Sequence, residues 1–221
     1  MLSRFFYWRI RITYGLTVCN EAAELDRLLA FLLEHKDRRD EVIVLQDITV
    51  ADEAVTAVIN RYRPHLIWEQ SRLNGDFATF KNQLIDKASG DYLFQLDADE
   101  VPGLDLIKSL KKIVAKQRKS DCFAVPRTNY VDGLKPEHIA RWNWQVDALQ
   151  RINFPDYQMR IMRLRRGIHW KNKVHEELTG HTRCGYLPAD REEQCLMHRK
   201  QIERQIRQND LYDTLQEKLD T

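Results

Sequence analysis

Two aspartates separated by a single residue, Asp97 and Asp99, follow an apolar stretch near the middle of the chain. Residues two apart at the end of a strand project to the same side, and paired carboxylates hold hard divalent cations that also bind phosphate oxygens. The pattern therefore predicts a site for Mg²⁺ or Mn²⁺, with a substrate diphosphate completing the ligand set. The alternative is a pair of loop acids that cap the following helix.

Two further groups of polar residues follow predicted strands. Asn20 and Glu21 come after residues 10–18, and Asp47 comes after residues 41–45. If these strands are parallel, their carboxyl ends lie at one edge of the sheet, which is where such sheets bind ligands. Asn20 is also a natural N-cap for the helix that follows it, and Asp47 could be only a turn residue.

Strands and helices alternate through the first half of the sequence. Four stretches rich in β-branched and aromatic residues predict strands: 10–18, 41–45, 65–69 and 91–96. Each precedes a helical pattern; Thr49 and Asp52 have capping-box spacing for the second helix, residues 76–88 form the third, and Pro102 is expected to begin the fourth. Four such units predict an α/β fold with a mostly parallel central sheet flanked by helices.

The second half of the sequence is less regular. Three further stretches predict strands, with a turn at Arg166-Gly167 between the last two: 121–126, 159–164 and 168–171. The tryptophan-rich residues 127–158 are expected to form long loops and short helices. From residue 201 a helix is predicted whose apolar stripe consists of Ile202, Ile206, Leu211, Leu215 and Leu219.

Composition narrows the class of protein. The 221 residues include 35 Lys and Arg against 33 Asp and Glu, a net charge of +2, which does not favour a stable complex with nucleic acid. No apolar run reaches the ~18 residues that span a bilayer. The four cysteines form no C-x-x-C pair, so reduced thiols in the cytoplasm are expected and a zinc site is not.

Basic residues are unevenly distributed. Residues 151–200 contain 11 Lys and Arg against 6 Asp and Glu, which suits either a phosphate-binding site or a solvated surface. Residues 1–11 mix aromatic side chains with three arginines. They could contact a membrane surface peripherally or form a first strand.

The order of the motifs resembles the family 2 glycosyltransferases of GT-A fold, over residues 10–200. The segments that carry the resemblance are 17–21 (TVCNE), Asp47, Asn82 and 90–100 (GDYLFQLDADE), followed by 154–158 (FPDYQ), Arg160, Trp170 and 174–176 (VHE). The later group is similar to a subgroup found among bacterial polysaccharide-type and phage transferases.

The resemblance implies an inverting, metal-dependent transferase with a nucleotide-diphospho-sugar donor, and a UDP-sugar is expected. Val18, Asn20, Glu21 and Asn82 would belong to the donor site, which residues 10–100 would form. Residues 101–200 would form the acceptor side and 201–221 a C-terminal helix, all in one GT-A domain.

Three aspartates would have distinct roles by the same resemblance. Asp47 would accept a hydrogen bond from the base, Asp97 would contact the ribose or the metal, and Asp99 would be the main metal ligand. Many members have D-D-G-S where this chain has Gln46-Asp47-Ile48-Thr49, so the identity of the base is not settled by the motif.

A transferase must also deprotonate the acceptor hydroxyl, and a carboxylate near the anomeric carbon can do so as a general base. The family usually carries an acidic pair for this at a helix start after the D-x-D motif, and this chain has none there. Glu176 is the nearest candidate. The alternative is that Glu176 caps a helix or pairs with Lys173.

Histidine and basic residues complete the candidate site. GT-A enzymes often bring a late histidine to the metal, and His198 is the candidate here, because imidazole is an acceptable Mn²⁺ ligand; a structural role is the alternative, and His175 is a second histidine to consider. Arg160, Arg163 and Lys171 are candidates to stabilise the departing diphosphate.

Two other classes of protein share parts of this pattern. A nucleotidyltransferase combines a parallel sheet with an acidic metal site, but it opens with a glycine-rich phosphate loop that is missing around Gly15. A non-catalytic sugar- or nucleotide-binding module is less expected because both aspartates are retained. The acceptor is not indicated: a saccharide, a lipid-linked saccharide, a protein or a modified base in phage DNA all fit.

Overall fold

The computed structural model describes the backbone of residues 7–219 and the side chains of residues 7–210. Most of the segment considered for membrane contact, residues 1–6, lies outside the described residues. The last three positions of the predicted apolar stripe, from Leu211 onward, lie outside the described side chains. Within the described backbone, no helix is both long enough and apolar enough to cross a bilayer.

The first half of the chain forms alternating strands and helices, as its sequence predicts. The strands are β1 (Ile12–Val18), β2 (Glu41–Asp47), β3 (Ile67–Ser71) and β4 (Tyr92–Asp97). The intervening helices are α1 (Ala22–His35), α2 (Glu53–Tyr62) and α3 (Phe77–Lys87). The four strands pair in parallel in the order β3-β2-β1-β4.

The second half extends the same sheet. Its helices are α4 (Leu104–Lys116), α5 (Pro136–Trp142) and α6 (Ile202–Leu219). Its strands are β5 (Glu100–Pro102), β6 (Cys122–Asp132), β7 (Ile152–Arg163), β8 (His169–Lys171), β9 (Glu177–Thr179), β10 (Cys184–Tyr186) and β11 (Leu196–Gln201). The full order is β3-β2-β1-β4-β7-β6-β11-β5, with β7 antiparallel to both neighbours and β5 antiparallel to β11. The predicted α/β class with a mostly parallel sheet is confirmed.

Both faces of the sheet are buried against helices. On one face the alternate residues of β1, Ile12, Tyr14 and Leu16, pack with the leucines of α1. On the other face β2 and β4 pack with Phe80 and Leu84 of α3. Burial of each such side chain contributes about 1.5–3 kcal/mol, so the core holds the carboxyl ends of β1, β2 and β4 in fixed relative positions.

Two predicted helix starts are wrong. The N-cap of α1 is Glu21 rather than Asn20, and its side chain bonds the backbone of the preceding residues instead of the helix. The cap of α2 is Asp52, whose carboxylate accepts from the Val55 amide at 2.9 Å; Thr49 instead hydrogen-bonds Asp47.

The predicted start of α4 at Pro102 is also wrong. Pro102 belongs to β5, which is held extended by pairing with β11, and α4 begins at Leu104. Residues 127–158 are less irregular than predicted, because β6 and β7 pair with each other over most of their lengths. The two stretches on either side of the Arg166-Gly167 turn are strands but do not share a sheet, since β8 pairs with β9.

Candidate active site

A cavity of about 870 Å³ opens at the carboxyl ends of β1, β2 and β4. Sequence-predicted residues from eight different elements and loops meet in its lining: Val18, Asn20, Glu21, Asp47, Asp97, Asp99, Arg160, Glu176 and His198. The register of the sheet explains part of this convergence, because Thr17 of β1 lies directly beside Asp97 of β4.

Asp97 is held by short hydrogen bonds from the sheet. Its carboxylate accepts from Thr17 Oγ1 at 2.9 Å and from an Arg160 guanidinium nitrogen at 2.6 Å. Burial on its own raises the pKa of Asp97, but the positive charges of Arg160 and Lys81 outweigh it and hold the pKa well below the usual aspartate range. Asp97 is therefore ionised at neutral pH.

A buried chain of charges continues from Asp97 across the sheet. Arg160 also donates to Glu100 at 2.6 Å, and Glu100 has no exposed side-chain surface. Arg127 bridges Glu100 at 2.9 Å and Asp156 at 2.7 Å. Burial on its own lowers the pKa of Arg160, but the charges of Asp97 and Glu100 have the larger effect and raise the pKa overall, so this guanidinium stays charged.

Asp99 has looser contacts, and they come from the C-terminal part of the described chain. One carboxylate oxygen, Oδ2, lies 3.5 Å from His198 Nε2, 3.4 Å from Lys200 Nζ and 3.4 Å from an Arg204 guanidinium nitrogen. Burial raises the pKa of Asp99, but the hydrogen bond and charge that His198 supplies when it is protonated, together with the charge of Lys200, outweigh burial and lower the pKa overall. For Lys200, in contrast, burial disfavours the charged ammonium group and lowers the pKa.

The ring of His198 is oriented by a chain of amide and carboxylate bonds. Asn129 Nδ2 donates to Asp156 at 2.9 Å, which turns the Asn129 oxygen towards His198 Nδ1 at 2.7 Å. Burial lowers the pKa of His198, which favours the neutral ring. With the proton on Nδ1, the Nε2 lone pair points towards Asp99, the tautomer that a metal-ligating histidine requires.

These contacts fit a divalent cation. A carboxylate oxygen and an imidazole lone pair that face each other at 3.5 Å both seek positive charge, and both are ligands that Mn²⁺ accepts. Among the described residues no group of three His, Cys, Asp or Glu side chains converges as a complete metal site. Asp99 and His198 would thus form a partial set that substrate phosphate oxygens complete.

Glu176 lies in the cavity lining and forms an ion pair with Lys81 of α3. The partner differs from the Lys173 considered from the sequence, because α3 turns Lys81 inward and buries it beside the ring of Trp170, 5.3 Å from Lys81 Nζ. Both side chains are mostly buried, with 11% of Lys81 and 18% of Glu176 exposed.

Asp47 combines a structural contact with a place in the cavity lining. Its Oδ1 accepts from the Thr49 amide at 2.8 Å and from the Leu73 amide at 3.1 Å. These bonds tie the end of β2 to the loop before α3. The turn role considered from the sequence is thus present, and the side chain also lines the cavity.

Four candidates are placed outside the cavity lining. The Asn82 side chain bonds both the backbone nitrogen and oxygen of Trp170 and so anchors β8 to α3. Lys171 is half exposed and pairs with Glu177 at 3.4 Å. Arg163 donates to Tyr92 Oη and lines a separate cavity of about 340 Å³. His175 is likewise absent from the described lining.

Five residues of the site were not singled out from the sequence: Lys81, Arg127, Asn129, Lys200 and Arg204. Lys200 had a readable signal, because it lies two residues after His198 on one strand and therefore on the same face. Lys81 resembles an ordinary surface lysine within a helix. Arg127 and Asn129 lie in a stretch that was predicted to be irregular.

Comparison with known proteins agrees with this geometry. Residues 15–180 match the family model described as Glycosyl transferase family 2. Among curated proteins, none matches the sequence. The solved structure of S. aureus TarS 1-349 in complex with UDP-GlcNAc is similar with a TM-score of 0.57 and 17% identity, over 86% of this chain and 59% of that chain. The complex of the same protein with UDP gives a TM-score of 0.56 and 15% identity, over 86% and 60%.

The chain thus spans about three fifths of the TarS 1-349 chain that it matches, and at these identities the likeness shows the fold. The fold and the family match together define a glycosyltransferase of GT-A fold. The match over well over half of the sequence shows more: the chain belongs to glycosyl transferase family 2.

Proposed function

We propose that this glycosyltransferase moves a sugar from a nucleotide-diphospho-sugar to an acceptor hydroxyl, with inversion at the anomeric carbon and with Mn²⁺ or Mg²⁺. One observation carries the proposal: Asp97, the last residue of β4, and Asp99, two residues later, line a cavity that is also lined by the acidic residue Glu176 and by several cationic side chains. Transfer from a nucleotide-sugar donor needs such a combination, because the diphosphate requires positive charge and the acceptor hydroxyl that attacks the sugar requires a base.

The donor is proposed to lie along the carboxyl edge of the sheet. The nucleoside would lie beside Val18, Asn20 and Glu21, and the carboxylate of Asp47 would accept a hydrogen bond from an N–H of the base. Uracil is the base we expect, since it offers such an N–H and since the similar TarS structures contain UDP or UDP-GlcNAc. Asp97, ionised and fixed by Arg160, would accept from a ribose hydroxyl.

The metal would be held by Asp99 and His198. When bound, a divalent ion neutralises the charge that develops on the leaving diphosphate. The protein prepares that position by fixing His198 through Asn129, so that little reorganisation is needed when the donor binds. Arg160 contributes positive charge beside Asp97 in the same cavity.

Glu176 is proposed as the general base that accepts the proton of the acceptor hydroxyl. The ammonium group of Lys81 lies beside this carboxylate as its ion-pair partner. Lys81 also orients the carboxylate within the cavity. During transfer the acceptor oxygen bonds to the anomeric carbon, its proton passes to Glu176, and the nucleoside diphosphate leaves with the electron pair of the broken bond.

The acceptor is a saccharide, a lipid-linked saccharide, a protein or a modified DNA base, and all of these present a hydroxyl group. We place the enzyme in the cytoplasm, with at most peripheral contact at the inner membrane surface and with no stable nucleic-acid complex. The whole chain would act as one GT-A domain.

The decisive experiment is a donor screen. Purified protein is incubated with UDP-, GDP-, CDP- and dTDP-sugars and with Mn²⁺, Mg²⁺ or EDTA, and nucleoside diphosphate release is measured with and without simple glycoside acceptors. We expect metal-dependent release from one class of donor, and proton NMR of the product should show the inverted anomer. Release of pyrophosphate from nucleoside triphosphates instead would favour a nucleotidyltransferase.

A further inference from the structure

Five cationic side chains that are buried or half-buried line the cavity, and four of them have a carboxylate at close range. Arg160 and Arg127 reach carboxylate oxygens at 2.6 and 2.7 Å, and Arg204 reaches Glu21 at 2.7 Å. Lys81 forms its short ion pair with Glu176. Lys200 is the exception, because among the described residues the carboxylate that it contacts is that of Asp99, and Lys200 Nζ lies 3.4 Å from Asp99 Oδ2.

The other described neighbours of Lys200 do not provide a closer counter-ion. Only 7% of its side chain is exposed, and among residues 7–210 its one short bond, at 2.6 Å, is to the neutral amide oxygen of Gln208. The Asp99 oxygen that it approaches is shared with His198 and Arg204. Charge-assisted hydrogen bonds are normally 2.7–2.9 Å long, and burying a charge without a close counter-ion is costly. The ammonium group is therefore incompletely neutralised while it faces a ligand cavity.

We propose that Lys200 binds the diphosphate of the donor. The inference rests on the proposed function and deepens it, since it names the residue that receives the most charged part of the substrate. Phosphate oxygens would supply the counter-charge that the cavity lacks at this point. The ammonium group is a compact point charge with three donors, so it can contact Asp99 and a phosphate oxygen together.

The position of Lys200 also suits this role. It lies on the same face of β11 as His198, so a diphosphate beside the Asp99 and His198 pair lies next to its ammonium group. Helix α6 covers this side, where Arg204 ties it to Glu21 and Glu24 at the start of α1. Lys171, the lysine considered for the diphosphate from the sequence, lies outside this lining.

The test is calorimetry of uridine, UMP and UDP binding to the whole protein, in EDTA and in Mn²⁺, with GDP and CDP as alternatives. The variants are Lys200→Met, which keeps the length and removes the charge, and Lys200→Arg, which keeps the charge. Lys171→Met is the control for a lysine outside the cavity. Lys111→Met is the control for a mostly buried lysine, since Lys111 is 12% exposed and pairs with Asp40 at 2.8 Å.

Lys200→Met is expected to weaken binding of the diphosphate about 10–100-fold in both buffers, the cost of one charge-assisted contact. Uridine affinity should change less than about threefold, Lys200→Arg should restore most of the loss, and both control variants should bind as wild type. Diphosphate affinity within about threefold of wild type in Lys200→Met overturns the inference, and so does an equal loss for uridine.

Two outcomes separate this inference from the proposed function. If wild-type protein binds none of the nucleoside diphosphates, both are overturned. If wild type binds one of them and Lys200→Met binds it equally well, only the role of Lys200 is overturned. Should Lys200→Met lower the Tm below the assay temperature, Lys200→Gln replaces it, because glutamine retains a donor for the Gln208 oxygen; the same thresholds then apply.

Discussion

The two aspartates of the D-x-D motif are only two residues apart, yet they lie in different kinds of surroundings. The Asp97 region consists of Asp97, Glu100, Arg127, Asp156 and Arg160, all joined by bonds of 2.6–2.9 Å. The Asp99 region consists of Asp99, His198, Lys200 and Arg204, with contacts of 3.4–3.5 Å to one carboxylate oxygen. The first region is contributed by β4, β6, β7 and the edge strand β5, whereas the partners of Asp99 in the second region come from β11 and α6.

The difference indicates a division of labour. Short bonds among buried charges hold these side chains in place, so the Asp97 region acts as a fixed framework. Long contacts to a shared oxygen are easily exchanged for a shorter one, so the Asp99 region is suited to ligands that arrive and leave. Each prediction below tests one side of this division, from the largest expected effect to the smallest.

The largest effect is expected at Glu176, whose ion-pair partner Lys81 also lowers the pKa of Asp97. Glu176→Gln keeps the shape of the side chain and removes the base, so transfer should fall about 10²–10⁴-fold. Donor affinity by calorimetry should stay close to wild type. Glu177→Gln is the matched control, and loss of transfer in Glu177→Gln with an active Glu176→Gln would show that the base is misassigned.

Removing a cation from the fixed framework should cost stability. Arg160→Met leaves Asp97 and the fully buried Glu100 without their shared partner, and breaking such a buried pair costs about 3–5 kcal/mol. Lys200→Met should cost less than about 1.5 kcal/mol, since burial of its charge is itself unfavourable. Urea unfolding midpoints measure both values. Equal losses in the two variants would contradict the division between the regions.

Asp99→Asn should weaken metal-dependent function without unfolding the protein. The amide oxygen is a poorer ligand than a carboxylate, so Mn²⁺-dependent turnover should fall by at least about 10²-fold. Circular dichroism and Tm should stay near those of wild type, because the contacts of Asp99 with His198, Lys200 and Arg204 are 3.4–3.5 Å long. Unchanged turnover across a titration of Mn²⁺ would remove Asp99 from the metal site.

Asp47→Asn should alter recognition of the base. The Asn oxygen can still accept from the Thr49 and Leu73 amides, while the edge facing the cavity changes from an acceptor to a donor. Affinity for UDP should fall about tenfold, the value of one hydrogen bond to a charged group. Calorimetry with UDP, GDP and CDP provides the comparison. Equal affinity for all three, unaltered by the substitution, would argue against a base-reading role.

The smallest effect concerns pH and His198. Burial lowers its folded-state pKa below the ordinary value of 6.5, so below pH 6.5 the unfolded chain binds the proton more readily. Stability should therefore decrease as pH falls from 6.5 towards the lower folded pKa. His198→Gln should flatten this part of a Tm-versus-pH curve. A curve for the variant that is parallel to wild type between pH 6.5 and 5 would contradict the assignment.

The sequence predicted what depends on local order. Strands β1, β2 and β4 are apolar runs that end in polar residues, so the carboxylate edge and the D-x-D pair could be located in advance. The length of β6 and β7 could not be, because each strand is stabilised by its antiparallel partner about thirty residues away. Lys81 pairs with a residue 95 positions distant, and no local pattern encodes that contact.

Caps show the same limit at short range. Asn20 and Thr49 are residue types that favour the N-cap position, but the N-caps of α1 and α2 are Glu21 and Asp52. In the second case Thr49 is drawn to Asp47, whose own position is set by the sheet. Competition from tertiary contacts decides between neighbouring candidates, and the sequence does not show it.

The pairing of β5 with β11 has a consequence for how the protein is made. β5 follows the D-x-D motif directly, yet its partner strand ends nearly a hundred residues later. During synthesis the first four strands can associate as soon as they emerge, whereas within the described part of the chain β5 pairs with β11 and must wait until that strand has been translated. Since His198 and Lys200 lie on β11, the donor site is complete only after that strand has joined the sheet.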